Sequence, residues 1–209
     1  EIKKSGISSE NGEVNNTGEN SLFGGVVNHP HRNNEKTDLE ETVKENLTEI
    51  KGELTEWTKA VEVLSEMDDE IALFGNEFGF AVCDSSKNIV LLNEEKVDVT
   101  EVYKILSSKR ITAYNVKEYM KTGISCEKYF DVMLAWYVLG TESSQDLENI
   151  IFSELGVNLE KFEDQFKKRK ISEVSNDEKA EFLWKRAFYI KGLEVILEDR
   201  LRTEDLHDI

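Results

Sequence analysis

Apolar residues recur every three or four positions from Leu39 onward: Leu39, Val43, Leu47, Ile50, Leu54, Trp57, Val61 and Leu64. That spacing matches the 3.6-residue turn of an α-helix and predicts an amphipathic helical segment. Thr37 or Asp38 can cap its start, and Gly52 divides it into two helices, the second reading "TEWTKAVEVLSEM". The period then changes. "EIALF" and "FGFAVCD" predict strands joined across Gly75-Asn76 as a two-residue hairpin turn, and "NIVLL" predicts a third strand. A helix over Val99–Leu106, a strand over Ile111–Tyr114 and a helix over Val116–Lys121 follow. Beyond them helices dominate. "YFDVMLAWYVLG" is apolar enough to be buried on several sides, and "SSQDLENIIFSELGV" opens with a Ser cap and closes at Gly156. The last helix spans Asp177 to Arg202. Three successive strands, then a strand alternating with helices, imply an α/β fold with a mixed sheet covered by helices.

Upstream of this pattern, residues 1–37 are rich in Gly, Asn, Ser and Glu, with only "SLFGGVV" as an apolar interruption. They predict a flexible interdomain linker, followed by a linker helix over 38–52 and the folded domain over 53–209. His29 and His31 lack a third ligand nearby, so a solvated loop is the expectation there. Cys83 and Cys126 each sit in or beside an apolar run and predict reduced, buried thiols. The sequons at Asn15 and Asn46 carry little weight in a chain with these features. No apolar run suffices for a membrane span and no secretory signal is visible, so the expected setting is cytoplasmic, with no membrane partner. The chain does not begin with Met, which suggests a piece of a longer protein.

Charge changes the picture most. There are 43 acidic against 26 basic residues, a formal net charge of −17. Such a surface repels phosphate backbones and argues against a free-standing, high-affinity nucleic-acid binder.

The order of landmarks across residues 53–209 carries the sharper reading. A hairpin-rich sheet leads to "AYN" plus a helix, then "YFDVMLAWYVLG", then "QDLENIIFSELGV", then a long terminal helix. This resembles the proofreading 3′–5′ exonuclease domain of bacterial DNA polymerase I, the family A polymerases. There, "FDTML…YLL" and "DLxxLxxxYLG" helices follow an Asn motif in the same order. The resemblance implies a ribonuclease H-like fold, a mixed five-stranded sheet with helices on both sides. It also implies two-metal hydrolysis, in which four carboxylates hold two divalent ions about 4 Å apart. Hard divalent cations need oxygen ligands, so the four positions can be compared one by one.

An ungapped match of "IALFGNE" to a phrase like "VFAFDTE" puts Gly75 at the first Asp and Glu77 at the Glu. If Gly75-Asn76 is the hairpin turn, Glu77 instead begins the second strand. Asn115 matches the motif Asn, but Tyr119 stands where the third acid belongs. Glu118 cannot substitute, because one residue along a helix turns a side chain by about 100°. Asp131 matches a structural Asp of the "FDTML" helix. In the terminal helix, a phrase like "YAAEDAD" places Arg186 at the family's Tyr and Ile190 at its Asp. Phe182, Arg186, Ile190, Leu193, Leu197 and Leu201 share one stripe there; the alternative pairing of Tyr189 with Leu193 also lacks an acid, and Glu194 points elsewhere.

The resemblance therefore implies a segment of a family A DNA polymerase, active in DNA replication and repair, whose proofreading domain has lost its catalyst. No catalytic, cofactor-binding or metal residue is expected: Gly75, Glu77, Tyr119 and Ile190 are vestigial and Asn115 is a retained motif residue. "EDRLRTEDLHDI" resembles the end of such a domain, with His207 an exposed helix-end residue. The implied partners are the polymerase portion of the parent protein and, through it, DNA. One alternative is an active Mg²⁺-dependent exonuclease using shifted carboxylates drawn from Glu70, Glu77, Asp84, Glu118 and Glu194. The other is an acidic protein-binding module unrelated to polymerases.

Overall fold

Alternation along each apolar run decides which face a strand presents. The computed structural model describes residues 49–94, 97–140, 146–167 and 169–206. The expected linker, most of the linker helix, His29, His31, Asn15, Asn46 and His207 lie outside the described residues. The described chain begins with β1 (Glu53–Leu54), α1 (Trp57–Glu66), β2 (Glu70–Asn76), β3 (Gly79–Cys83) and β4 (Asn88–Leu92). Next come α2 (Thr100–Ser107), β5 (Arg110–Ala113), α3 (Val116–Thr122), β6 (Tyr129–Asp131) and α4 (Val132–Val138). α5 (Leu147–Leu155), the short α6 (Phe162–Gln165) and the long α7 (Asn176–Thr203) complete it.

The strands form one mixed six-stranded sheet in the order β1-β4-β3-β2-β5-β6. β2–β3 and β3–β4 are antiparallel, whereas β1–β4, β2–β5 and β5–β6 are parallel. The sheet thus has one strand more than the five expected. Leu54, read as part of a helical stripe, instead pairs beside Val90. "YFDVMLAWYVLG" also divides: its first three residues are β6, and Leu134 and Tyr137 of α4 are exposed rather than buried.

Two cores cover the two faces. Ala72, Ala81, Cys83 and Val90 pack against α7, α4 and α5, with Leu183, Ala187, Ile190 and Leu193 as the α7 contribution. Ile71, Leu73, Val82, Ile89 and Leu91 face the other way, against Ala60 and Leu64 of α1 and Val102 and Leu106 of α2. Each fully buried Leu or Ile contributes roughly 1.5–3 kcal/mol by leaving water. The stripe on α7 read from the sequence is real: Phe182, Arg186, Ile190, Leu193 and Leu197 are all buried. Ser175 and Glu178 close a reciprocal capping box at the start of α7, and Gly156 ends α5 at φ 71°. The Ser cap expected for α5 is not its start; Asp146 precedes Leu147 there.

The β2–β3 turn lies at Glu77-Phe78, not at Gly75-Asn76, which are the last residues of β2. Two features set it there. The Asn76 carboxamide oxygen accepts from Phe78 N–H at 2.8 Å, and Gly79 adopts φ 139°, where a Cβ would come within 2.1 Å of Leu91 O. Among the described residues, no helix is long and apolar enough to cross a membrane.

Candidate functional site

The C-terminal ends of β2 and β5 open between α3 on one side and α5, α6 and α7 on the other. β5 leads through Tyr114 to Asn115, which adopts a left-handed conformation (φ 57°, ψ 66°) just before α3. Asp131 holds this junction. Its carboxylate accepts from Asn115 N–H at 3.2 Å and Val116 N–H at 2.8 Å. It also caps α4, accepting from Met133 N–H at 3.0 Å and Leu134 N–H at 3.2 Å. Four backbone donors on one carboxylate give Asp131 a structural role, as its sequence position implies.

Tyr119 reaches back from α3 to the end of β2. Its hydroxyl oxygen accepts a hydrogen bond from Gly75 N–H at 2.9 Å. Burial pushes the Tyr119 phenol well above its ordinary range, so this group is neutral at physiological pH. Gly75 permits the approach: a Cβ there would lie 3.1 Å from Phe80 Cβ, 3.3 Å from Gly79 O and 3.6 Å from Tyr119 Cε1. Two of the four positions singled out by the ungapped match therefore touch. Ile190 does not join them, because it is fully buried in the α7 core, while Gly75 and Tyr119 pack on the side of α1 and α2. Glu77 stands exposed in the hairpin turn.

What faces α7 at this end of β2 is Phe74, and Asn76 by alternation. The Phe74 ring lies 6.1 Å from that of Phe182 and 5.7 Å from Arg186 Cζ. Arg186 is 2% exposed and fully engaged. Its Nε and Nη2 donate to Glu148 Oε1 at 3.0 and 2.8 Å, Nη1 donates to Phe182 O at 3.0 Å, and Nη2 to Glu160 O at 2.6 Å. The guanidinium also stacks 3.4 Å from the centre of the Phe182 ring. Sequence reasoning missed this cluster. Period-two alternation in β2, matched with Phe182 and Arg186 four apart on α7, is the signal that identifies it.

A cleft of about 740 Å³ lies over the cluster, lined among others by Phe74, Asn76, Tyr114, Glu148, Phe162 and Phe182. A second cavity of about 460 Å³ is lined by Gly75, Phe80, Tyr103, Asn115, Glu118 and Tyr119 and shares Phe74, Asn76 and Tyr114 with the first.

The remaining acids are divided between the two ends of the sheet. Glu70 opens β2 opposite Arg110, and Cys83 pairs beside Ala72, so Asp84 lies at the same end. Six residues of strand place Glu70 about 20 Å from Asn76. Asp84 is buried and accepts from Asp68, Ser86 and Lys87 N–H at 3.0, 2.7 and 2.6 Å. Burial pushes its carboxyl up, but the Ser86, Lys87 and Asp68 donors outweigh that and hold it below the ordinary range. Glu194 is likewise buried and ion-paired with Arg110 and with Lys191, the latter at 3.0 Å. Against the opposing effect of burial, the Thr112 hydroxyl, Lys191 and Arg110 hold the Glu194 carboxyl below its ordinary value. Only Glu77 and Glu118, of the five acids named for a shifted site, are at the end with the cleft. Among the described residues, no group of three or more His, Cys, Asp or Glu is placed to hold a metal ion. Phe74, Asn76, Tyr119 and Arg186 offer a phenyl, a carboxamide, a neutral phenol and a cation, which do not fit a pair of divalent ions.

No family profile and no curated protein matches this sequence. Solved structures do. The chain is similar to the EXO domain of Aedes aegypti Nibbler, at 12% identity and a TM-score of 0.57, over 74% of this chain and 90% of that one. It is similar to Brucella melitensis NrnC bound to pGG, at 14% identity and a TM-score of 0.58, over 77% of this chain and 86% of that one. Escherichia coli RNase D, an exoribonuclease involved in structured RNA processing, matches at 13% identity and a TM-score of 0.50, over 78% of this chain and 52% of that one. At such identities the likeness speaks of architecture alone. The chain carries a ribonuclease H-like fold, shared with these structures.

Proposed function

We propose that this domain is a non-catalytic exonuclease-fold module of a family A DNA polymerase, retained for its structure rather than for hydrolysis. The observation that carries this reading is the Arg186–Glu148 pair beside Phe74, at 2.8 Å. A catalyst of this class gathers carboxylates around two cations, whereas here a buried, permanent cation paired with the partly buried Glu148 lines the cleft wall. Two ligands spaced by one residue on a strand share a face, and that face must meet the terminal helix. We therefore assign the vestigial positions on this face to Phe74, Asn76 and Arg186, in place of Gly75, Glu77 and Ile190, and keep Tyr119, which borders the same end of β2 through the second cavity, as the fourth. No Mg²⁺ is required under this reading.

The polymerase parent rests on the landmark order from "AYN" through "QDLENIIFSELGV" to the long α7. The acidic surface supports contact with DNA through the polymerase portion rather than through this domain. The free, buried thiols Cys83 and Cys126 support a reducing, cytoplasmic setting. Both parts can be tested. Single-stranded DNA and RNA, each labelled at the 5′ end, are expected to stay at full length with Mg²⁺ or Mn²⁺. Metal-dependent shortening that disappears in Glu77→Gln or Glu118→Gln would return the site to the enzymes. In the genome, a reading frame running past Ile209 into a polymerase palm is expected; a frame entering an unrelated domain would remove the parent assignment.

A further inference from the structure

The 740 Å³ cleft combines aromatic walls with acids at its rim. Phe74, Tyr114, Phe162 and Phe182 supply the rings, and the Phe162 and Phe182 rings pack edge-to-face at 5.5 Å. Of its acids, Asp146 pairs with Lys161 at 2.5 Å and Glu148 with Arg186 at 2.8 Å. Glu77 and Glu163 are both exposed and have no ion pair among the described residues. Lys161 is the only basic residue among the described lining, so the cleft is negative overall. A phosphate backbone is repelled from such a surface, while a cation is drawn in.

The shape of the preferred cation is also on display. Arg186 lays its guanidinium 3.4 Å from the centre of the Phe182 ring, so this aromatic cluster already accommodates a planar cation from beneath. A guanidinium presented from solvent would meet Phe162 and Tyr114 as stacking surfaces and Glu77 and Glu163 as carboxylate partners. An ammonium would gain the charge attraction but not the planar fit.

We propose that this cleft docks a basic, arginine-bearing peptide segment of a partner protein. Charge complementarity and ring stacking commit it to this occupant, and it does not depend on the polymerase assignment.

The test is fluorescence anisotropy of the full chain with a short fluorescein-labelled Arg-Gly repeat peptide. A Lys-Gly repeat, a Glu-Gly repeat and oligo-dT serve as comparisons. Saturable binding to Arg-Gly is expected, tighter than to Lys-Gly and absent for Glu-Gly and oligo-dT. Glu77→Gln with Glu163→Gln should weaken it about tenfold and flatten its salt dependence. Phe162→Ala should weaken it while leaving the salt dependence unchanged. Glu53→Gln with Glu62→Gln removes the same charge from exposed positions outside the cleft and should leave affinity unchanged. Equal loss in that distant pair would show a diffuse field instead of a site and overturn the proposal. So would an absence of saturable Arg-Gly binding, or oligo-dT binding that the cleft substitutions abolish.

Discussion

At the Glu70–Arg110 end of the sheet, the buried acids Asp84 and Glu194 are held by backbone donors and by cations. At the Asn76–Tyr114 end, Glu77 and Glu163 are exposed around a cleft whose walls are aromatic, and the partly buried Glu148 is held by Arg186. The ends therefore use charge differently. Glu194, with Arg110 and Lys191, fastens α7 to β5. The cleft end is concave, and its strand and helix present Phe74, Asn76 and Arg186. Under the proposed reading, shape outlasts chemistry because the surrounding core depends on the shape. Removing Phe74, Phe162 or Phe182 would expose apolar area, whereas a lost surface ligand costs the fold little.

The comparison breaks most visibly at Arg186. Arg186→Leu strands Glu148 beside an apolar wall and removes donors from Phe182 O and Glu160 O. We expect a loss of about 3–5 kcal/mol in a denaturant titration, much of it restored in Arg186→Met with Glu148→Met. A loss under about 1 kcal/mol would mean the pair is solvated and does not hold the cleft wall.

The acids themselves sharpen the contrast. Glu194→Gln should cost about 2–3 kcal/mol, against less than about 0.5 for Glu77→Gln. Because the folded Glu194 and Asp84 carboxyls are held below their unfolded values, their stabilisation is full above about pH 4.3 and is lost as pH falls through the folded values. Glu194→Gln should therefore flatten the acid limb of the stability profile, and Glu77→Gln should leave it unchanged. Equal effects would erase the distinction between the two ends.

Much of this architecture was legible from periodicity. The strand runs alternate, and the stripe on α7 is buried from Phe182 to Leu197. β1 was not legible, since two residues cannot establish an alternation. The hairpin was misplaced because Gly-Asn is a strong turn dipeptide, yet Asn76 uses its carboxamide to cap the next turn and Gly79 supplies the positive φ. In a strand, one residue of register exchanges the faces, so the proposed assignment moves from Gly75 to Phe74. The Arg186–Glu148 pair joins residues 38 apart on two helices, and no local pattern announces it. The Asn115 and Asp131 positions were legible because their roles are local, at helix starts.

The smallest expected effect is at Tyr119. Tyr119→Phe leaves Gly75 N–H without its acceptor and should cost about 1 kcal/mol, read as a shift in denaturant midpoint. A neutral result would mean that water replaces the hydroxyl and that this contact does not tie α3 to β2.

The central proposal is that this domain does not gather divalent ions, and direct titration of Mn²⁺ into the full chain tests it. Isothermal titration calorimetry should show no saturable heat at low millimolar Mn²⁺, with a melting temperature that does not rise across the same range, since only an ion bound to the native state stabilises it. Saturable binding of two ions, accompanied by a rise in melting temperature and abolished by Glu77→Gln with Glu118→Gln, would contradict the account.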